Sequence, residues 1–271
     1  MLFELGATAV VVSEGPSPKL RTCLPDDGTL DAKLARLRQY LVALRSLGVD
    51  HDPSAIVARP FRDEGWALRW REFFQPLRIG RRLMVKPSWD VSPVKRADLL
   101  ISLDPGMAFG TGLHPTTRLC LGALEAAADR GLVANARVLD VGCGSGILSV
   151  AAVRLGAREA LGLDVDPIAV EATAANAHRN RVARRVRSRL GSLPSGQPPH
   201  DIVLANLIAS LLVALAPALA AELRPDGVLI ASGIHVDREA EVAAALVGVG
   251  LAVRERWDEG DWVAMEAARG A

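Results

Sequence analysis

The sequence has few of the cysteines that cross-link small secreted domains or build structural metal sites. Its 271 residues include only three cysteines, Cys23, Cys120 and Cys143, which lie far apart without CxxC spacing. Cysteines so arranged argue against a disulfide framework and against a zinc site. The first residues, 1–5, also lack the basic segment and the small-residue cleavage site of a signal peptide. We therefore expect a cytoplasmic protein without a metal ion.

An excess of charge of one sign is also missing. The chain has 32 lysines and arginines against 31 aspartates and glutamates, a net charge of +1, so no overall field attracts it to nucleic acid or to an anionic surface. Six arginines between Arg179 and Arg189 form the one dense basic cluster. We favour a solvated corner between a helix and a strand, because no aromatic residue is interleaved there to stack on bases. Direct RNA contact is the minority interpretation.

One uncharged run, residues 202–221, is long enough to span a bilayer. Asn206, Ser210 and Pro217 interrupt it, however, and its beginning, Asp201-Ile-Val-Leu-Ala, is typical of a short buried parallel strand that leads into a helix. The run therefore predicts part of a protein core, and we expect no membrane contact.

The pattern of apolar residues divides the chain into three predicted parts: a small α+β domain over 1–62, a connecting segment over 63–96 and a larger domain over 97–271. In the connecting segment, Trp66 and Trp70 fall on one helical face. Core packing is the simpler explanation of that stripe, since aromatic residues at helical spacing do not by themselves indicate a ligand. In the larger domain strands and helices alternate, which is typical of a doubly wound parallel sheet.

The predicted elements follow from apolar periodicity. In the small domain we expect strands at 7–12, near 20–24 and near 55–59, and one helix over 29–47. The predicted strands of the larger domain lie near 136–140, 159–163, 185–190, 201–205, 227–232, 251–257 and 261–266. Its predicted helices lie near 115–129, 146–155, 167–179, 208–223 and 236–248.

A glycine-rich loop follows the first strand of that series. The strand ends at Asp140 and is followed by Gly142-Cys-Gly144-Ser-Gly146 and a helical run, a context in which such a loop binds a cofactor. The third glycine comes one residue earlier than in the dinucleotide fingerprint G-x-G-x-x-G, which disfavours NAD. Asp140, at the mouth of the loop, would repel a pyrophosphate but would complement the ammonium and sulfonium groups of S-adenosylmethionine. The loop therefore predicts an S-adenosylmethionine site that includes Gly142 and Gly144.

Two aspartates after the next strand compete for one role. Asp164 ends that strand, 22 residues after Gly142, at the place where Rossmann-like folds bind ribose hydroxyls. Asp166 precedes Pro167, a pattern that suits a helix N-cap followed by proline at the first helical position. We therefore predict that Asp164 binds the ribose and that Asp166 caps the helix.

Two further features are expected near this loop. Asn206 follows the strand over 202–205, at the carboxyl edge where open α/β sheets bind ligands, and its amide could bond a nucleophilic amine or its own loop. The segment DPGMAFGTGLHPTT, residues 104–117, has three glycines and leads into a helix whose Pro115 makes His114 the expected cap. For this segment, an ordinary loop between domains is as good an explanation as a functional one.

The motifs DPGMAFGTGLHPTT, VLDVGCGSGILSVAA, GLDVDPIAVEATAANAHRN and DIVLANLI, in this order and spacing, resemble the PrmA family of bacterial ribosomal-protein methyltransferases. The resemblance covers nearly all of residues 97–271, and residues 66–89 are similar to the family's interdomain segment. It implies a seven-stranded, Rossmann-like class I methyltransferase domain preceded by a small ferredoxin-like domain that recognises the substrate. Because LFELGA resembles the inside of that domain's first helix, we expect the small domain to be incomplete.

The same resemblance implies a set of residue roles. Contacts to S-adenosylmethionine are implied for Phe109, Thr117, Gly142, Asp164 and Asn206. His114 and Phe109 would belong to a loop that closes over the site, and Asn206 with the carbonyl of Leu207 would orient the target amine. The implied substrate is protein eleven of the large ribosomal subunit, at the stalk base, methylated on lysine side chains and on its α-amino group.

The expected reaction is an in-line displacement in which a neutral amine attacks the sulfonium methyl group, and proximity and orientation supply most of the catalysis. Three alternatives stay open on the sequence. One is a related methyltransferase that acts on a lysine of another protein or on a small amine. Another is a non-catalytic S-adenosylmethionine-binding or RNA-associated factor that uses the arginine cluster. A nicotinamide oxidoreductase is disfavoured by the glycine spacing and by Asp140.

Overall fold

The computed structural model describes residues 10–13, 19–22, 24, 28–46, 56–58, 75–103 and 114–270. The chain forms two compact units, Met1–Arg69 and Trp70–Ala271. The predicted stripe with Trp66 and Trp70 lies outside the described residues, and the division into three parts stays a prediction.

The first unit contains a hairpin and a helix. Strands β1 (Val10–Ser13) and β2 (Lys19–Thr22) pair antiparallel, and α1 follows at Leu30–Ser46. The half-buried leucines of α1 recur at three- and four-residue steps, as the sequence predicts: Leu30, Leu34, Leu37 and Leu41.

The strand predicted near 55–59 is wrong for the three residues of it that are described. Ile56, Val57 and Ala58 adopt no regular secondary structure. Val57 is 73% exposed, so this short apolar segment lacks the buried face that would stabilise a strand.

The second unit begins with a small three-stranded sheet that the sequence did not predict. Strands β3 (Leu77–Ile79) and β4 (Leu83–Lys86) are antiparallel, and β4 is parallel to β5 (Leu99–Ser102). Strands of three or four residues are too short to show a convincing period of two, so the sequence could not indicate them.

The larger sheet has seven strands in the order β11-β12-β10-β9-β6-β7-β8. Its elements, with the helices between them, are α2 Pro115–Asp129, β6 Arg137–Val141, α3 Ile147–Arg154, β7 Glu159–Asp164, α4 Pro167–Arg179, β8 Val186–Leu190, β9 His200–Asn206, α5 Ala209–Ala221, β10 Leu223–His235, α6 Glu239–Gly248, β11 Leu251–Glu259 and β12 Trp262–Arg269. Strands β6 to β10 run parallel, and β12 is antiparallel to both its neighbours. The doubly wound fold expected from the sequence is confirmed, and the uncharged run over 202–221 is β9 followed by α5.

Helices cover both faces of this sheet. Val138 points into a core with α2, α3 and α4, whereas its neighbour Leu139 points into a core with α5 and α6. Alternate residues of a strand face opposite sides, so a parallel strand covered on both faces is apolar throughout. This explains why the predicted positions of β6, β7 and β9 match the observed strands within one or two residues.

The polar end of the chain is also part of the sheet. β12 lies between β10 and β11 and extends to Arg269, three residues beyond the predicted strand end at 266. Glu266 within it is only 3% exposed, and Arg130, just after α2, forms an ion pair with its carboxylate. A buried charge is tolerated when it is paired in this way.

Candidate active site

The carboxyl ends of three parallel strands bring the predicted site residues to one edge of the sheet. The glycine loop follows β6, Asp164 ends β7 and Asn206 ends β9. Thr117, in the first turn of α2, accepts a hydrogen bond from Asn206 Nδ2 to its Oγ1 at 3.4 Å. Among the described residues, none donates to Asn206 Oδ1, so this oxygen is available as an acceptor.

The glycine loop adopts a backbone that requires glycine. Gly142, Gly144 and Gly146 have φ values of 72°, 53° and 76°, a region that residues with a Cβ rarely occupy. A Cβ on Gly142 would also lie 2.5 Å from Leu207 Cδ2. The glycines therefore set the loop's conformation and let the side chain of Leu207 approach it.

Asp164 holds the glycine loop in place and can still accept further hydrogen bonds. Its Oδ2 accepts a hydrogen bond from Gly144 N at 2.9 Å, and its Oδ1 accepts one from Asp166 N at 3.0 Å. A carboxylate oxygen can accept two hydrogen bonds, so both oxygens can also bind a ligand hydroxyl. Asp166 caps α4 by accepting from Ile168 N at 2.9 Å, which confirms its predicted structural role.

Asp140 lies beneath the loop rather than at its mouth. Its carboxyl is 1% exposed, because Asp140 shares the face of β6 that packs under α3, where Ser149 N and Oγ donate to its Oδ2 at 3.1 and 2.7 Å. Its Oδ1 is buried without a hydrogen-bond partner among the described residues. Burial raises the pKa of this carboxyl to about 6, although the hydrogen bonds from Ser149 lower it. An unpaired buried carboxyl oxygen is the kind of group that a cationic ligand would satisfy.

His114 occupies the cap position predicted for it. Its Nδ1 accepts from Thr116 N at 3.4 Å at the start of α2. Its ring meets that of Trp262 edge-on at 5.0 Å, and Trp262 meets His235 at 5.8 Å. The sequence did not single out Trp262 or His235, since isolated aromatic residues far apart in the chain give no signal. Phe109 lies outside the described residues.

The peptide of Leu207 is held against β10. Leu207 N donates to Ser232 O at 3.0 Å, and a Cβ added at Gly233 would overlap the Leu207 carbonyl. Gly233 has φ 85°. The sequence analysis missed this residue, because Gly233 follows the predicted strand near 227–232; inside the observed strand, a glycine is typical of a bulge or of a close backbone approach.

Exposed apolar side chains surround Asp164. Leu190 pairs with Asp164 in the sheet register and is 57% exposed, while Val165 and Ile168 are 75% and 43% exposed. Large apolar residues grouped at a site edge mark a surface that an apolar ligand group can cover. The sequence analysis did not identify them.

Two buried asparagines on α4 connect this site to the small sheet. Asn176 Nδ2 donates to Ser145 O at 2.8 Å. Asn180, one helical turn later and 2% exposed, accepts from Ser102 N and donates to Ser102 O, both at 2.8 Å. Asn180 also donates to Asn176 O at 2.9 Å. The glycine loop and the end of β5 are thus held by one turn of helix.

Comparison with known proteins identifies the family. A family model described as ribosomal protein L11 methyltransferase (PrmA) matches residues 24–270. The ribosomal protein L11 methyltransferase of Pelotomaculum thermopropionicum is 45% identical over 251 residues, 92% of this chain and 79% of that protein. The chain belongs to the ribosomal protein L11 methyltransferase family. The enzyme of that name from Geobacter metallireducens is 44% identical over 252 residues, 93% of this chain and 82% of that protein.

A solved structure agrees with this assignment. The ribosomal protein L11 methylase from Lactobacillus delbrueckii subsp. bulgaricus has a TM-score of 0.67 and 31% identity, covering 73% of this chain and all of the other. The chain is therefore an S-adenosylmethionine-dependent methyltransferase with the Rossmann-like class I fold. This assignment excludes two of the alternatives, the nicotinamide oxidoreductase and the non-catalytic binding factor.

The residues present fit this cofactor. The buried, unpartnered oxygen of Asp140 and the carboxylate of Asp164 suit a cation rather than a pyrophosphate. Among the described residues, no group of three or more histidines, cysteines or acids could hold a metal ion. None of the described helices has the length and apolarity needed to cross a membrane.

Proposed function

We propose that this enzyme transfers methyl groups from S-adenosylmethionine to lysine side chains and to the α-amino group of ribosomal protein L11, the stalk-base protein of the large subunit. The names of its relatives support the substrate. The observation that carries the reaction is the juxtaposition of Asn206 Oδ1, to which no described residue donates, with Leu207, whose side chain packs over the glycine loop.

We assign the cofactor contacts mainly to residues at the carboxyl edge of the sheet. Asp164 accepts hydrogen bonds from the ribose hydroxyls, and the adenine ring packs against exposed Val165 and Leu190. Gly142 and Gly144 allow close approach to the methionine portion of the cofactor, whose ammonium group interacts with the Asp140 carboxylate. Thr117, Asn206 and Phe109 complete the set of cofactor contacts.

The methyl group comes from the sulfonium centre of S-adenosylmethionine, and this chain's residues orient the acceptor. Asn206 Oδ1 and the Leu207 carbonyl accept hydrogen bonds from the target amine and so point its lone pair at the methyl group. His114 lines the approach to that position. This arrangement needs no nucleophilic side chain and no metal ion.

The acceptor must lose a proton before it reacts. A lysine with a reference pKa of about 10.4 is almost fully protonated at pH 7, and complete deprotonation there costs about 4–5 kcal/mol. A desolvated site next to a sulfonium cation would disfavour the ammonium form, since desolvation and a like charge both lower the pKa of an amine. Released protons pass to solvent, so a dedicated base is not required.

The remaining parts of the chain are assigned by the resemblance. Residues 1–62 recognise the substrate protein as a ferredoxin-like domain, residues 63–96 connect the two domains, and residues 97–271 perform methyl transfer. The enzyme works in the cytoplasm, and the transfer step itself involves no membrane and no RNA.

The test is incubation of the enzyme with isotopically labelled S-adenosylmethionine and purified ribosomal protein L11, followed by mass spectrometry of the product. Labelled methyl groups on lysines and the α-amino group are the expected result, and the Asn206→Ala enzyme should lose most turnover while keeping its melting temperature. Methylation of an unrelated basic protein or of free lysine, with L11 unmodified, would mean that a different amine is the substrate. Full turnover by Asn206→Ala would refute the role of Asn206.

A further inference from the structure

Six exposed arginines gather at the amino edge of the seven-stranded sheet and along one of its strands. They lie where α3 and α4 end and along the terminal strand β8 of the described sheet. We call this set the basic edge; its members are Arg158, Arg181, Arg184, Arg185, Arg187 and Arg189. Helices end, and the next parallel strands begin, at the amino edge of such a sheet, so Arg158, Arg181, Arg184 and Arg185 lie away from Asp164 at the carboxyl edge. Arg187 and Arg189 extend along β8 towards that edge.

Neutral carbonyl oxygens hold two of these side chains. Arg185 Nη1 donates to Ala157 O at 3.4 Å, and Arg189 donates to Ser195 O. Acceptors of this kind orient a guanidinium without cancelling its charge.

The basic edge has one carboxylate neighbour in the described part of the chain. Glu159 lies 3.3 Å from Arg187, but it also binds Arg137 at 3.1 Å. The other five arginines of the basic edge have no carboxylate within 4.0 Å in the described ranges. Much of the positive charge is therefore uncompensated, on a chain whose net charge is only +1.

These arginines also repel one another and their neighbours. The pKa of Arg154 is lowered, first by burial and then by Arg185 and Arg181. Close like charges destabilise the folded protein, and a local arrangement that costs stability without a structural gain is often functional.

Helix termination explains the position of Arg154, a neighbour of the basic edge. Arg154 donates to Asn180 O at 2.8 Å at the end of α4, and cations near a helix C-terminus contribute about 0.3–1 kcal/mol each. The side chains of Arg158, Arg181 and Arg184 make no such hydrogen bond with a described residue, so side-chain capping of a helix does not account for these three.

We propose that the basic edge binds the phosphate backbone of structured RNA. Guanidinium groups bind phosphates in a bidentate manner, and such contacts supply affinity without reading sequence. The described residues among these arginines include no aromatic side chain that could stack on a base. This departs from the solvated corner that the sequence favours, because the sequence could not show that the charges lack acidic partners.

RNA fits the basic edge better than an anionic membrane. The large apolar residues between these arginines, Val182 and Val186, are each 4% exposed and point into the core. Leu190, which is exposed, lies at the carboxyl end of β8 beside Asp164. A membrane-binding surface would present apolar residues for insertion beside its cations. The ligand is RNA rather than DNA if, as proposed, the substrate is a ribosomal protein, but backbone binding itself does not depend on that function.

The test is fluorescence anisotropy of a labelled RNA hairpin titrated with the full chain. The variant Arg158→Glu/Arg181→Glu/Arg184→Glu should bind at least tenfold more weakly, and its salt dependence (log Kd against log salt) should be shallower by about 2–3, since each lost phosphate contact removes just under one unit. The matched control, Arg38→Glu/Arg96→Glu/Arg254→Glu, changes the net charge equally at exposed arginines elsewhere and should bind within about twofold of the unaltered enzyme.

Two results would overturn the proposal: equal loss of binding in both triple variants, or equally tight binding of phosphatidylglycerol vesicles with the same loss on mutation. A DNA hairpin of the same sequence that binds equally well would support recognition of the backbone alone. Methyl transfer to purified L11 should be unchanged in Arg158→Glu/Arg181→Glu/Arg184→Glu. If L11 is not a substrate at all, the proposed function fails while the anisotropy result stands by itself.

Discussion

The carbonyl of Leu207 lies so close to the backbone of Gly233 that no Cβ can be accommodated between them. Gly233 also has φ 85°, so alanine there would be strained as well as obstructed. The position of a carbonyl that we propose as an acceptor for the target amine is therefore set by a residue on another strand.

Gly233→Ala should displace the Leu207 carbonyl and reduce kcat. A misplacement of about 1 Å at a reacting group can cost about 100-fold in rate, whereas the affinity for S-adenosylmethionine should change far less. Steady-state kinetics together with calorimetry of cofactor binding would separate the two effects. Gly248→Ala is the control, because Gly248 lies in α6 with open space around it. An unchanged kcat in Gly233→Ala would remove the Leu207 carbonyl from the mechanism.

Asp164→Ala should mainly weaken cofactor binding. It removes the acceptor of Gly144 N and the proposed ribose contact, and loss of charge-assisted hydrogen bonds of this kind costs about 1.5–3 kcal/mol each. Calorimetric titration should show the cofactor Kd rising by at least tenfold. The matched control is Asp166→Ala, which should cost about 1 kcal/mol of stability through the lost cap and leave Kd nearly unchanged. If Asp166→Ala has the larger effect on Kd, the two assignments are reversed.

The raised pKa of Asp140 should make the cofactor-free enzyme sensitive to pH. Because the folded state binds this proton more tightly than the unfolded chain, the stability due to Asp140 is fully present below pH 3.8 and is lost as the pH rises towards about 6. The shift corresponds to about 3 kcal/mol. Asp140→Asn should therefore gain stability relative to the unaltered enzyme as the pH rises from 4 to 7. Urea unfolding at both pH values measures this, and a difference that does not change with pH would contradict it.

Cofactor affinity should respond to the same group. If the ammonium of S-adenosylmethionine interacts with ionised Asp140, binding must release a proton below pH 6, so Kd should rise as the pH falls through that value. Calorimetry in buffers of different ionisation enthalpy would detect the proton. An Asp140→Asn enzyme that keeps the same pH dependence would show that another group titrates.

Glu125 should be essential to the attachment of the small sheet. Its two carboxylate oxygens accept hydrogen bonds from Arg81 N and Arg82 N, both at 2.7 Å, and the residue is 4% exposed. Glu125→Ala leaves two backbone donors without this partner and should cost about 2–4 kcal/mol. Thermal unfolding measures the loss. Asp129→Ala, on the same helix but with its ion pairs partly exposed, should cost less than about 1 kcal/mol.

The sequence predicted those parts of the fold and site whose signal is local. Strands buried on both faces are continuous apolar runs, so β6, β7 and β9 could be located within one or two residues. The roles of Asp166 and His114 as helix caps depend on residues one or two positions away, and both predictions are confirmed.

Features that depend on distant partners could not be read in the same way. Asp140 could be expected near a cation, but its burial follows from Ser149 and the helix above it. Glu266 looks too polar for a core strand until Arg130 is placed beside it. The strands β3–β5 are stabilised by α2 and α4 rather than by an apolar pattern of their own. The need for glycine at position 233 is evident only when Leu207 is seen beside it.

The asparagines of α4 make the glycine loop and the end of β5 parts of one cooperative unit. Asn176 holds Ser145 and Asn180 holds both backbone groups of Ser102, so local opening at one end requires the other end to loosen. Ligand binding that stabilises the loop should therefore slow hydrogen exchange at the Ser102 amide, well outside the cofactor's own contacts. The small sheet would then report cofactor occupancy without touching the cofactor.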